Sequence, residues 1–142
     1  MKSGRNVTVE PAPVRSGLHR GRVLVVEDEV DLAWVEQFNL ETEGYEARVA
    51  VEGRAALRAI EDFSPDVLLL DVMLPRLDGW SVMARISELP AERRPKVIVV
   101  SAAGETARVR AESLGAVSFL PKPFDMDELL RLVGQALAPD AA

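Results

Sequence analysis

The chain has 142 residues, enough for one domain that buries most of its core without disulfides or metal staples. A hydrophobic share of 48%, a charged share of 28% and a net charge of −6 mark an acidic globular protein and argue against a nucleic-acid footprint. With no cysteine and the single histidine His19, disulfides, thiolate chemistry and multi-histidine metal sites are excluded.

Residues 1–21 show no hydrophobic periodicity and carry Gly4, Pro11, Pro13, Gly17 and Gly21, so a flexible extension is expected. Lys2, Arg5, Arg15, Arg20 and Arg22 against Glu10 give residues 1–22 a balance of +4, which leaves −10 on the rest. Five dispersed charges read as a solvated arm. The opening Met1-Lys2-Ser3-Gly4-Arg5-Asn6 lacks the apolar core of a secretory signal. No apolar run approaches the ~20 residues of a membrane span. A cytoplasmic protein with no membrane partner and no direct nucleic-acid partner is expected.

From Arg22 the pattern becomes regular. Val23-Leu24-Val25-Val26 is an apolar strand followed by Glu27-Asp28-Glu29. Val30 to about Glu43 reads as a helix facing inward through Leu32, Val35 and Phe38, stopped by Gly44. Tyr45 to Val49 alternates, as a half-covered edge strand does. Gly53 to Phe63 is a helix facing inward through Ala56, Leu57 and Ile60, broken by Ser64-Pro65.

Val67-Leu68-Leu69-Leu70 is a buried strand ending on Asp71. A loop through Pro75 and Asp78 leads to a helix from Gly79 to about Leu89, with Val82, Met83 and Ile86 inward. Residues 90–95 form a polar loop. Val97 to Val100 is an apolar strand ending at Ser101, and a helix from about Glu105 to Leu114 stops at Gly115. Val117 to Leu120 is a short strand leading to Pro121-Lys122-Pro123-Phe124. The last helix starts near Asp125, a plausible cap, and buries Met126, Leu129, Leu130, Val133 and Leu137. The domain is expected over 22–138, with 139–142 as a tail.

Strand and helix alternate five times, which predicts an α/β three-layer sandwich with a parallel sheet. The inner strands are apolar throughout, as strands covered on both faces must be. The alternating strand near Tyr45 belongs at an edge. The flavodoxin-like order 2-1-3-4-5 meets these conditions with right-handed crossovers.

In such sheets ligands bind beyond the carboxyl ends of the strands, where the strand order reverses. Those ends carry Glu27 and Asp28, then Asp71, then Ser101, with Lys122 after the last strand. Singly, each has a bland reading as a helix cap or a solvated loop residue. Capping does not require all five at one sheet edge. Three crowded carboxylates repel one another, and an oxygen-only cluster suits Mg2+. Lys122 and the Ser101 hydroxyl suit phosphoryl oxygens. No histidine is available to activate a serine, and the remaining nucleophile is a carboxylate able to form an aspartyl phosphate.

Val25-Val26-Glu27-Asp28-Glu29, the Asp71 loop with Pro75 and Gly79, Val100-Ser101-Ala102 and Lys122-Pro123-Phe124 occur in this order and spacing. In these motifs the chain resembles the receiver domains of bacterial two-component response regulators, over residues 22 to about 138. The resemblance implies that Asp71 is the phosphoacceptor. It implies that Asp28, Asp71 and the backbone carbonyl of Met73 hold Mg2+ (or Mn2+), with Glu27 acting through water. Ser101 and Lys122 then hold the phosphoryl group, and the Lys122-Pro123 peptide is cis. Phe119 takes the aromatic switch position, and Met73 and Ala103 tune the phosphoryl lifetime. Implied partners are a histidine kinase or histidine phosphotransfer protein and a downstream protein target. The target reads the surface of helix 4, strand 5 and helix 5 in a monomer or weak dimer formed through helices 4 and 5. Glu27 stands where aspartate is more usual, Ser101 is the shorter alternative to threonine, and Phe119 lacks a hydroxyl. It acts only through packing.

A stand-alone receiver is expected, with a fragment of a larger regulator or hybrid kinase as the alternative. Three further readings compete. A phosphatase of the haloacid-dehalogenase type needs an acid two residues after the nucleophile, where this chain has Met73. A flavodoxin needs a Ser-, Thr- and Gly-rich loop where this chain has Glu27-Asp28-Glu29. A receiver-like binding module that never uses phosphorylation has no need of the set Asp28, Asp71, Ser101 and Lys122.

Overall fold

The computed structural model describes residues 19–74 and 78–139. Most of the expected N-terminal extension, the loop position Pro75 and the end of the tail lie outside the described residues. Five strands form one parallel sheet: β1 (Arg22–Val26), β2 (Glu46–Ala50), β3 (Val67–Asp71), β4 (Lys96–Ser101) and β5 (Ser118–Pro121). Their order is β2-β1-β3-β4-β5, the flavodoxin-like order expected from the sequence. The helices are α1 (Val30–Thr42), α2 (Gly53–Phe63), α3 (Gly79–Ser87), α4 (Glu105–Ser113) and α5 (Met126–Leu137). A single 3-10 turn at Ala91–Arg93 lies in the expected loop before β4. Among the described residues no helix is long and apolar enough to cross a membrane.

The apolar strands explain the three layers. Successive side chains of a strand point to opposite faces. Leu24, Val26, Leu68, Leu70, Val97 and Val99 therefore enter one cluster with α2, α3 and α4. Val23, Val25, Val67, Leu69, Ile98 and Val100 enter the other with α1 and α5. All five residues of β3 are buried, whereas the edge strand β2 pairs only with β1 and mixes buried with exposed positions.

One helix faces differently from the sequence expectation, and a second buries some of its expected residues only in part. In α1 the expected inward residues Val35 and Phe38 are 49% and 69% exposed, and Leu32 is half-buried. The buried face is Ala33, Glu36 and Leu40. Apolar residues surround this helix, so periodicity alone does not select a face, and docking on β1 and β2 decides it. In α5 the buried residues are Leu129, Leu132, Val133 and Ala136, while Met126, Leu130 and Leu137 are only half-buried. Asp125 sits at the N-cap without a side-chain capping bond, in contrast to Asp78, whose side chain accepts from the Ser81 N–H at 2.9 Å at the start of α3.

Just before β1 the chain is already attached. The Arg20 N–H donates to the Gly44 carbonyl at 2.9 Å, the Glu46 N–H donates to the Gly21 carbonyl at 2.9 Å, and the Arg20 guanidinium lies 4.6 Å from the Tyr45 ring centroid.

Candidate functional site

Four strand ends build the site. Glu27 follows β1, and its N–H donates to the Ala50 carbonyl at 3.0 Å, which extends the ladder by one residue and buries its side chain. Asp28, next in sequence, is exposed at the mouth. Asp71 is the last residue of β3 and is buried. One carboxylate oxygen from each of Glu27, Asp28 and Asp71 lies within 4.8 Å of the others. At that spacing two ionised carboxylates repel by roughly 3–4 kcal/mol at an effective dielectric of about 20.

Lys122 offsets part of this repulsion. It lies just past β5, and its N–H donates to the Ser101 carbonyl at 3.0 Å, which ties the loop to the end of β4. From there its ammonium donates to Glu27 Oε1 at 2.8 Å and to Asp71 Oδ2 at 3.1 Å. The Lys122-Pro123 peptide is cis, as the resemblance implied. The other carboxylate oxygens have backbone donors: Glu29 N–H to Glu27 Oε2 at 3.1 Å and Met73 N–H to Asp71 Oδ1 at 2.9 Å.

Burial pushes the Glu27 carboxyl above its ordinary value, despite the hydrogen bonds from Lys122 and the Glu29 N–H. Burial alone lowers the Lys122 ammonium, but its hydrogen bonds to Glu27 and Asp71 outweigh this and hold it above its ordinary value. The Lys122 ammonium thus stands between two carboxylates.

An all-oxygen set with one exposed member and two buried ones fits a hard divalent cation approaching from solvent. Glu27 and Asp71 each already accept from Lys122 and from one backbone N–H, which leaves Asp28 at the mouth as the freest carboxylate. The close approach of α3 supports the loop. A Cβ on Gly79 would stand 2.8 Å from the Asp71 carbonyl oxygen and would also overlap Val72, so only glycine fits there.

Ser101 is fully buried at the end of β4, one residue beyond Val100, the register partner of Asp71. Its hydroxyl accepts from the Ala103 N–H at 3.0 Å. Phe119 is buried in the cluster with Val97, Val99, Ala107 and Ala111. The Arg108 guanidinium lies 5.0 Å from its ring centroid. The Met73 side chain is exposed beside the site.

One acidic residue was not anticipated. Glu36 is buried on the inward face of α1, and burial, then the negative charge of Glu27, pushes its carboxyl up to about 8. Its signal in the sequence is the i, i+3, i+7 phase with Ala33 and Leu40, which the abundance of apolar residues around the helix conceals.

Comparisons with known proteins agree with this geometry. The family model for the response regulator receiver domain matches residues 23–134. The chain is 35% identical over 120 residues to the DNA-binding transcriptional regulator NtrC of Proteus hauseri, covering 84% of this chain and 25% of that protein. It is 38% identical over 123 residues to an uncharacterised 14.6 kDa protein of Leptolyngbya boryana, covering 84% of this chain and 94% of that one. The solved receiver domain of the Francisella response regulator 1452 superposes with a TM-score of 0.75 at 30% identity, covering 82% of this chain and 96% of that one. The chain thus spans a quarter to a half of the first curated relatives it matches. A receiver domain is a regulatory domain, and a phosphorylation-dependent signalling role follows from the match. With the strand order, the acidic strand ends and the bridging lysine in agreement, the chain belongs to the response regulator receiver domain family.

Proposed function

We propose that this protein is a phosphorylation-dependent switch of a two-component phosphorelay, with Asp71 as the phosphoacceptor. The observation that carries this reading is the Lys122 ammonium bridging Glu27 and Asp71 inside a cluster of three carboxylates. The donor is a phosphohistidine of a histidine kinase or histidine phosphotransfer protein. An Asp71 carboxylate oxygen bonds to phosphorus as the phosphorus–nitrogen bond breaks. The imidazole leaves with the bonding pair and later takes a proton from solvent.

Asp28, Asp71 and the Met73 carbonyl would hold Mg2+, with Glu27 acting through water. When bound, Mg2+ supplies positive charge opposite the phosphoryl oxygens. Lys122 adds its own charge where negative charge develops, already placed and partly desolvated. The Ser101 hydroxyl donates to a phosphoryl oxygen. Phe119 transmits the change by repacking against Ala107 and Ala111, and a downstream protein reads the surface of α4, β5 and α5.

The test is phosphorylation with a small phosphodonor. Wild type takes up acid-labile phosphate, and Asp71→Asn takes up none. Full labelling of the variant overturns the assignment.

A further inference from the structure

The inward face of α1 carries a carboxyl among apolar side chains. Glu36 lies between Ala33 and Leu40 and is 2% exposed. Its Oε2 is buried with no hydrogen-bond partner. No hydrogen bond or ion pair among the described residues joins Glu36 to Glu27, Asp71 or Lys122. Packing does not explain its choice, because an unpartnered buried carboxylate is among the least favourable groups a core can hold. The group escapes this penalty by keeping its proton.

What surrounds Glu36 decides when the proton leaves. Glu27 at the end of β1, Asp71 on β3 and Lys122 after β5 are the charged groups that act on it. From β2 and α5 the core on this face of the sheet receives the uncharged side chains Ala47, Leu129 and Val133. Burial is the largest influence holding the proton on, followed by the charge of Glu27. Lys122 opposes them and Asp71 adds to them. Two carboxylates against one ammonium give a negative field at Glu36. A dication on Asp28 and Asp71 reverses the sign of that field.

We propose that Glu36 is a buried proton site coupled to the acidic cleft, which holds its proton until a divalent cation binds there and then releases it to solvent. The inference rests on the reading of the cleft as a Mg2+ site. It adds a group 8 residues along the chain from Asp28 that sets how strongly the site responds to pH. Each binding event exchanges one cation for a fraction of one proton, with no other bond made or broken. Linkage makes the effect reciprocal: losing the proton at alkaline pH tightens cation binding by the factor by which the cation weakens proton binding.

The experiment titrates the full chain with MgCl2 by calorimetry at pH 8, in two buffers of different ionisation enthalpy, and measures affinity from pH 7 to 9. Wild type is expected to release up to about half a proton per Mg2+ at pH 8, where Glu36 is near its midpoint. Its affinity is expected to rise roughly fivefold across the window. Glu36→Gln and Glu36→Leu release correspondingly less and show a flatter profile. Leucine is the second choice in case the buried amide of glutamine does not fold. Equal proton release and parallel profiles in wild type and the folded variants overturn the proton site. Asp28→Ala checks that the heat comes from the cleft. If wild type binds no Mg2+, the reading of the cleft itself fails, and the coupling fails with it. A carbon-13 titration of Glu36 in the metal-free protein tells the two failures apart, since an independently raised Glu36 then points to the cleft alone.

Discussion

Lys122 is held by two acids at once, and that geometry makes the site a balance of single residues. Removing the ammonium would leave Glu27 and Asp71 facing each other in a buried place, whereas removing one acid leaves the other paired. Glu27 reaches the lysine across 2.8 Å while still accepting from the Glu29 N–H, and Asp71 likewise accepts from both Lys122 and the Met73 N–H. Glu36 has no such partner, and its cost is visible in pH. Its carboxyl is raised from 4.5 to about 8, so its folding contribution is most favourable while it is protonated in both states, below 4.5. Stability is then lost as pH rises from 4.5 through about 8, because the unfolded chain gives up the proton first. Glu36→Leu removes that loss. Urea unfolding is expected to show the variant more stable than wild type by roughly 2–4 kcal/mol at pH 8, with a smaller difference at pH 5.

At the scale of elements, the site depends on how helices meet strand ends. The start of α3 lies against the end of β3, where a Cβ on Gly79 would meet the Asp71 carbonyl and Val72. Gly79→Ala is expected to lower the urea midpoint, costing about 1–3 kcal/mol with the slope unchanged. The orientation of α1 makes a second test. Leu40 is fully buried, while Trp34 is 65% exposed. Leu40→Ala is expected to cost about 2–5 kcal/mol, whereas Trp34→Ser changes stability by less than about 0.5 kcal/mol. The face expected from the sequence predicts no such contrast, because it leaves Leu40 outside the inward set. On the other side of the sheet Arg110 lies 4.4 Å from the Trp80 ring centroid and Arg108 covers Phe119. These two cation–π contacts link the position of α4 to the rings beneath it.

For the molecule as a whole, negative charge is concentrated where the strand order reverses, between β1 and β3. A cation bound only by the folded cleft stabilises the entire domain. At about ten times its dissociation constant, Mg2+ is expected to add about 1.4 kcal/mol, a rise in Tm of about 3–8 °C. Asp28→Ala is expected to lose that rise in a thermal melt, and an undiminished rise in the variant places the cation elsewhere. The layout of the domain was legible in the sequence. Runs such as Val67 to Leu70 are apolar at every position, and only a strand covered on both faces requires that, so the parallel sheet and the edge position of β2 follow from pattern alone. The same logic led to Glu27, Asp28, Asp71, Ser101 and Lys122, because a strand end is a place that sequence can mark. Helix rotation was not marked where apolar residues surround the axis, so the inward face of α1 was decided by docking against β1 and β2. That rotation carried Glu36 into the core. Its proton affinity belongs to no residue alone, because desolvation and the field of Glu27, Asp71 and Lys122 arise only when distant segments meet.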